Sequence, residues 1–520
     1  MNERSVRQTV LYFILGLPLM YVVVRQFWIS DDAFITFRVL NNLHEGFGAR
    51  FNIHERVQVY THPLWFLLLA AGNLSLNSPI VSSVVLSVSC IALTWYVAVL
   101  SLRRHHTETA LALGGFLGLL LSSKAFVDYT SSGLETPLSY FLVGVLVALT
   151  FSEKCRVQQV LFLSALLILT RHDQALLVAP ASVFLAYQVW KKSGTVAMLR
   201  KASPAVFVLA CWHLFSLLYY GFLVPNTAYA KLNIPFARSD VLEQGWWYFQ
   251  ESWHFDPATL LLQVAALVVV FLRKSITGFL CMLGVVGYLG YVYWIGGDFM
   301  GGRFFAVPFC LSAFVFSLLV PARVLAGVGI VAALYSLTVV YQPGTSDVTT
   351  ATSRPFFHGI SDEKSFYAKT NMLFVCGIHG YEKHEFAIAG LREKERDEKI
   401  ILTATLGMRS FVLDPHQSIF DTFAIASPFL ARMPIVSGEY RPGHVERLVP
   451  KRFVPSELSG ENRFQPGKRK ELYKLLQTIT QGPLLSIERL KAVVKIHLID
   501  FGFMDLSEVS PPPQKLQLPM

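Results

Sequence analysis

The sequence predicts an α-helical polytopic membrane protein with about eleven transmembrane crossings and a C-terminal soluble domain on the outer side. Three observations predict it. Of 520 residues, 53% are hydrophobic and only 15% charged, well below the charge share of a soluble chain of that length. The apolar residues lie in long uninterrupted blocks, and about 20 of them cross roughly 30 Å of hydrocarbon. Short basic clusters separate the blocks and recur on alternate connections, as topology determinants do.

Within lipid each backbone amide must bond inside its own segment, so such blocks are helices. The short alternating segments of a β-barrel are absent. The first span is roughly Val10 to Trp28. Arg4 and Arg7 precede it and predict a cytoplasmic N-terminus. The run is too long for a cleaved signal peptide and lacks a small-residue cleavage site, so a signal anchor is expected. Residues 31–62 then form an outer loop, and Pro63 to Leu74 is too short to cross and is expected along the interface. Further spans are expected near 79–100, 109–126, 138–151, 159–171, 174–190, 204–223, 257–272, 276–295, 304–320 and 324–341. Two of these are short, which predicts tilting or a broken helix near Arg171.

The basic clusters test this map. Arg103-Arg104, Lys154 with Arg156, Lys191-Lys192 with Arg200-Lys201, Arg273-Lys274 and Arg323 all fall on the N-terminal side. The opposite side receives the loops 29–62, 127–137, 224–256 and 296–303, which carry most acids of the first 342 residues and most of the motif-like residues. After Tyr341 the composition turns polar and rich in Pro and Gly. The division is therefore 1–342 in the membrane and 343–520 outside, the latter long enough for a domain of ordinary size. A disordered tail is expected around Pro511-Pro512-Pro513. The net charge of +10 belongs to topology and is no sign of nucleic acid. Six cysteines without CxxC or paired spacing predict neither a disulfide framework nor a zinc site.

Chemistry concentrates in the outer loops. Directly after the first span stands Ser30-Asp31-Asp32-Ala33-Phe34-Ile35-Thr36-Phe37-Arg38. Adjacent carboxylates raise one another's pKa unless a cation or hydrogen bonds offset them. A solvated interface pair is the plain reading; a general base with a neighbour that orients substrate or binds a cation is the functional one. Asn41-Asn42-Leu43-His44-Glu45-Gly46 and Glu55-Arg56-Val57-Gln58-Val59-Tyr60-Thr61-His62-Pro63-Leu64-Trp65 follow. Further on come Ser132-Gly133-Leu134-Glu135-Thr136, Thr170-Arg171-His172-Asp173, Pro225-Asn226-Thr227 with Lys231, Gly296-Gly297-Asp298-Phe299-Met300 with Arg303, and Arg441-Pro442-Gly443-His444 with Arg447. Arg171, Lys231 and Arg303 each sit at the outer end of an apolar run, where a lipid phosphate would lie. Snorkelling, or pairing with Asp173 and Asp298, is the alternative for each. Trp246, Trp247, Tyr248 and Trp253 read first as an interfacial belt.

Taken in order, these motifs resemble the GT-C superfamily of polyprenyl-phosphate-dependent arabinofuranosyltransferases, of the mycobacterial terminal and pseudomonad pilin-modifying types. The chain departs from the pattern at Val57 to Val59, where Gly is usual before Tyr60, at His62 for Asn or Ser, and at His172 for Pro. The resemblance implies a GT-C fold and transfer of a sugar, D-arabinofuranose above others, to a periplasmic glycan or pilin-like protein acceptor. The donor would be a polyprenyl-phosphate sugar held in membrane lipid. Asp31 and Asp32 would be base and orienting acid, with Asp31 assigned the base and the exchange left open. Arg38, Arg171, Lys231 and Arg303 would serve the donor phosphate. Tyr60, Thr61, His62, Trp65, Glu135, His172, Asp173, Asn226, Asp298 and His444 would face sugar or acceptor. A divalent cation beside Asp31 and Asp32 is the one cofactor the residues suggest. A transferase for another lipid-linked sugar, or a transporter or flippase, is the alternative; the chain shows no internal repeat of the transporter kind.

Overall fold

The apolar blocks become helices, because hydrocarbon offers their amides no other partner. The computed structural model describes residues 3–153, 155–232, 236–335, 337, 357–436 and 440–498. Lys154, the boundary at 342/343 and the Pro511–Pro513 tail lie outside the described residues. Every segment expected to span has a helix. Among the described residues, four helices are long and apolar enough to cross a membrane: Arg7–Arg25, Pro79–His105, Gln174–Tyr219 and Ile276–Trp294. A fifth is gained if Arg238–Phe255 and Pro257–Leu272, bent by 102°, count as one span.

The other expected crossings are shorter helices: Thr109–Ser122, Thr136–Thr150, Val157–Thr170, Arg303–Leu319 and Ala322–Tyr335. At 1.5 Å per residue they reach only about 21–26 Å. Three of them, Thr136–Thr150, Val157–Thr170 and Arg303–Leu319, match the expected bounds to within two residues, whereas the span expected at 109–126 is split between Thr109–Ser122 and the short helix Lys124–Asp128. The segments expected as 174–190 and 204–223 belong to one 46-residue helical stretch, interrupted at Gly194 by non-helical backbone (φ 81°, ψ 175°). The chain does break near Arg171, in a turn between Thr170 and Gln174. The loop 224–256 contains two helices, Asn226–Leu232 and Arg238–Phe255.

The first outer loop opens with a helix, Asp31–His44. Ser30 precedes it in extended backbone, and Asp31 and Asp32 in its first turn suit the helix dipole. It is buried on most faces because the C-terminal residues wrap it. Phe34 packs on Tyr381 at 4.9 Å and on Phe411 at 5.2 Å between ring centres. Residues 357–436 and 440–498 are short helices around a two-stranded parallel sheet, Ile400–Thr403 paired with Ser418–Asp421. Their hydrophobic core is shared with the rest of the chain. Tyr367, Met408 and Ile419 join one cluster with Trp28 and Phe34, while Phe453, Ile479 and Val493 join another with Phe222 and Ala230.

Buried arginines fasten this region through main-chain oxygens. Arg38 donates to the carbonyls of Phe51 (2.9 Å), Gln417 (2.8 Å) and Ser410. Arg489 donates to Ile479 (2.7 Å), Leu218 (2.8 Å), Leu484 (2.9 Å) and Tyr219 (3.0 Å).

Candidate active site

The helix ends on one side of the molecule converge on a cavity of about 340 Å³, within the usual range for a small-molecule site. Arg171, His172 and Asp173 reach it from the turn after Val157–Thr170, and Lys231 from Asn226–Leu232. Gly297, Asp298 and Arg303 come from the glycine-rich turn before Arg303–Leu319, and Thr61 from the first loop. Tyr440, Pro442 and Gly443 of the C-terminal region close one wall. Gly297 holds a left-handed backbone (φ 72°), and a Cβ there would lie 2.5 Å from the Tyr248 side chain. Only glycine lets that turn lie so close to its neighbour.

Behind the cavity stands Glu135, fully buried at the start of Thr136–Thr150. Its carboxylate lies 3.6 Å from both Arg171 Nη1 and Arg303 Nη2, and 3.2 Å from His62 Nδ1. Burial alone would raise this carboxyl; the His62 ring and the charges of Arg303 and Arg171 outweigh it and hold it well below the usual range. Thr36 Oγ1 fixes the other ring nitrogen of His62 at 3.0 Å. Asp173 takes Arg171 in a two-pronged contact at 3.1 and 2.5 Å and accepts from Tyr288 Oη at 3.1 Å. Arg303 Nη1 lies 3.6 Å from Asp32 and 3.8 Å from Asp298. Burial raises the Asp298 carboxyl, against the charges of Arg303 and Lys231. Among the described residues no carboxylate pairs with Lys231, whose ammonium lies over the Phe299 ring at 5.9 Å.

The acid pair divides by environment. Asp31 turns away from the cavity. Its two oxygens accept the amides of Gly407 (3.0 Å) and Met408 (2.7 Å), at the start of the helix Gly407–Phe411. Burial, with the neighbouring charge of Asp32, pushes its pKa up to about 6 even though both amides favour the anion. Asp32 keeps 32% of its side chain exposed and faces Arg303. A third carboxyl, Glu363, comes from the C-terminal region and was not singled out in the sequence. Burial and, more weakly, the charges of Asp32 and Asp31 push it up to about 8, against a 2.5 Å hydrogen bond from Ser361.

Several expected site residues lie elsewhere. Arg38 spends its donors on three carbonyls and does not border the cavity. Tyr60 stacks on Phe66 and bonds Tyr220 at 2.8 Å, and Trp65 donates to the Gly133 carbonyl at 3.1 Å. Asn226 donates to the carbonyls of Ala424 and Ile425, both at 2.9 Å. His444 adjoins the wall residue Gly443 but sits between the rings of Phe299 and Phe423, at 4.3 and 4.8 Å. Burial, with Arg441 and Lys231 nearby, pushes it down to about 3, so it is neutral. Among the described residues no group of three or more His, Cys, Asp or Glu side chains is arranged to hold a metal ion. Gly443 belongs to the Arg441–His444 motif, Tyr440 was legible only as its neighbour, and Glu363 carried no local signal at all.

No family model matches the chain. It is 29% identical over 404 residues to a terminal β-(1→2)-arabinofuranosyltransferase of Mycobacterium tuberculosis, covering 66% of this chain and 62% of that protein. A terminal β-(1→2)-arabinofuranosyltransferase of Corynebacterium glutamicum is 27% identical over 344 residues, 57% of this chain and 48% of that one. The match thus spans less than two thirds of either relative's length. Among solved structures, ArnT from Cupriavidus metallidurans in the apo state superposes with a TM-score of 0.48 at 12% identity, over 81% of this chain and 86% of that one. The same protein bound to undecaprenyl phosphate gives 0.46 at 11%, over 80% and 85%. At the level of sequence, the resemblance carried by the loop motifs therefore holds, and this chain is similar over most of its length to terminal arabinofuranosyltransferases.

Proposed function

We propose that this chain is a membrane glycosyltransferase of GT-C type that transfers a sugar, D-arabinofuranose, from a polyprenyl-phosphate donor to a periplasmic glycan or protein. One observation carries the reading: Arg171, Lys231 and Arg303 border a single cavity, with Asp32 beside Arg303. A phosphate ester needs cationic donors at the oxygen where charge develops as it leaves. Arg171 and Arg303 are preset by Glu135, Asp173 and Asp298, so they need little reorganisation when the phosphate arrives. Lys231 brings a third positive charge to the same space, with no carboxylate in direct contact among the described residues.

In the reaction the acceptor hydroxyl attacks the anomeric carbon and passes its proton to a carboxylate. The bond from that carbon to the phosphate oxygen breaks, and polyprenyl phosphate leaves with the electron pair. Asp32 is the base in this scheme: it does not itself line the cavity, but it is partly exposed and lies 3.6 Å from the lining residue Arg303, while Asp31 holds the Gly407 and Met408 amides. The roles first assigned to the pair are thereby exchanged. A divalent cation beside Asp32 is compatible with the scheme and no step depends on it. The site and residues 357–498 face the periplasm of a bacterial inner membrane in this reading, in keeping with the basic clusters at the opposite helix ends.

The test is release of polyprenyl phosphate from labelled donors by the purified chain in detergent, over a panel of sugars. Release with an arabinofuranosyl donor and an arabinan acceptor is expected. Movement of the lipid-linked substrate across liposomes without release would establish a transporter instead.

A further inference from the structure

The last described helix, Ile487–Leu498, has two apolar faces where one would suffice. Arg489, Ala492, Val493 and Ile496 are buried against the helix Lys468–Gln481 and the end of the long helix Gln174–Tyr219. Ile487, Leu490, Val494 and Leu498 are 70%, 40%, 57% and 79% exposed. At roughly 100° per residue these four fall within about 80° of arc, on the side away from the buried face. The preceding turn adds Leu485, 72% exposed. Glu488, Lys491 and Lys495 line one edge of the stripe. A helix on a solvated domain presents charge outward; an unbroken apolar stripe of this kind marks an interaction surface.

The location decides what covers it. Arg489 donates to the carbonyls of Leu218 and Tyr219, the last residues of the candidate span Gln174–Tyr219. That span's own outward residues remain apolar to the same end: Phe207 is 68% exposed, Leu214 57% and Leu218 38%. The stripe thus adjoins the point where a lipid-facing surface leaves the bilayer. We propose that Ile487–Leu498 lies in the plane of the membrane surface, with Ile487, Leu490, Val494 and Leu498 set among the acyl chains of the leaflet on the cavity side. Its partner is lipid, and its charged edge lies at the head groups, as for interfacial amphipathic helices. The C-terminal region is then held to the bilayer at a second place, apart from the spans.

The full chain, with Cys155, Cys211 and Cys376 replaced by Ala, leaves only the buried Cys90, Cys281 and Cys310. A bimane at Val494→Cys is compared with one at Glu488→Cys, about 120° round the helix. Both proteins are reconstituted in phosphatidylcholine–phosphatidylglycerol vesicles with brominated acyl chains. The expected result is quenching by bromine several-fold stronger at position 494, with aqueous iodide reaching position 488 more readily. Equal iodide quenching at both positions would mean that the stripe stands in water and would overturn the proposal. A label at 494 that neither reagent reaches would mean that protein covers it, whether residues 499–520 or a second copy, and would overturn it equally.

Discussion

Two neighbouring aspartates show how far one residue's step changes its work. Asp31 is fixed by two backbone amides of the C-terminal region, whereas Asp32 is partly open and faces Arg303. Asp32→Asn keeps the shape and loses the basicity, and is expected to lower transfer by about 10²–10⁴-fold with donor binding retained. Asp31→Asn replaces one amide acceptor with a donor, and its main effect is expected on thermal stability. Transfer rates and melting curves of the two variants separate these roles; loss of catalysis in Asp31→Asn alone would restore the first assignment. Glu363 gives a pH prediction. Its pKa rises from the usual 4.5 to about 8 in the folded chain. Between those values the unfolded chain has lost a proton that the folded one keeps, so stability falls as pH rises through the window. Glu363→Gln removes that slope. Relative to the unaltered protein its Tm is expected to be higher at pH 8.5 than at pH 5, read by thermal unfolding in detergent.

Among the elements, two short apolar helices meet through glycine. A Cβ on Gly118 would lie 2.1 Å from the Gly329 carbonyl oxygen, and one on Gly329 would lie 2.4 Å from Gly115 Cα. Small residues permit such close backbones where lipid supplies no hydrophobic drive to pack. Gly329→Val is expected to destabilise the fold by about 1–3 kcal/mol through overpacking. Neither helix borders the cavity, so the KM for donor should not change; parallel melting and steady-state assays check both halves. Element by element, the sequence revealed the places of the helices better than their lengths. Hydropathy located Val157–Thr170 to within two residues but carried the span at Thr109–Ser122 on to 126, because the break at Ser123 and the short helix Lys124–Asp128 beyond it continue the apolar run. It also left Asp31–His44 as loop, since the burial that makes that helix comes from residues more than 300 positions away.

For the whole molecule the arrangement of sides is the first thing to test. A reporter inserted near Lys191 should read as cytoplasmic and one within residues 440–498 as periplasmic; both on one side would separate the C-terminal wall from the cavity and end the proposed function. The charged part of the site was legible in advance, because arginine, lysine and acids at the ends of apolar runs are rare and costly. Arg171, His172, Asp173, Lys231, Asp298, Arg303 and Thr61 do border one cavity. Arg38, Tyr60, Trp65 and Asn226 matched the same motifs but serve packing and docking, a distinction that local pattern does not encode. The clasp made by Arg38 and Arg489 has a consequence for divergence. A main-chain oxygen is the same on every residue, so Leu218, 38% exposed, can be exchanged for many others without altering what Arg489 grips, whereas buried Ser410 and Gln417 carry side-chain bonds of their own. Mutational sensitivity at this joint is therefore lopsided: the guanidinium groups must be kept, and among the letters they hold drift is open only where the side chain faces outward, as at Leu218.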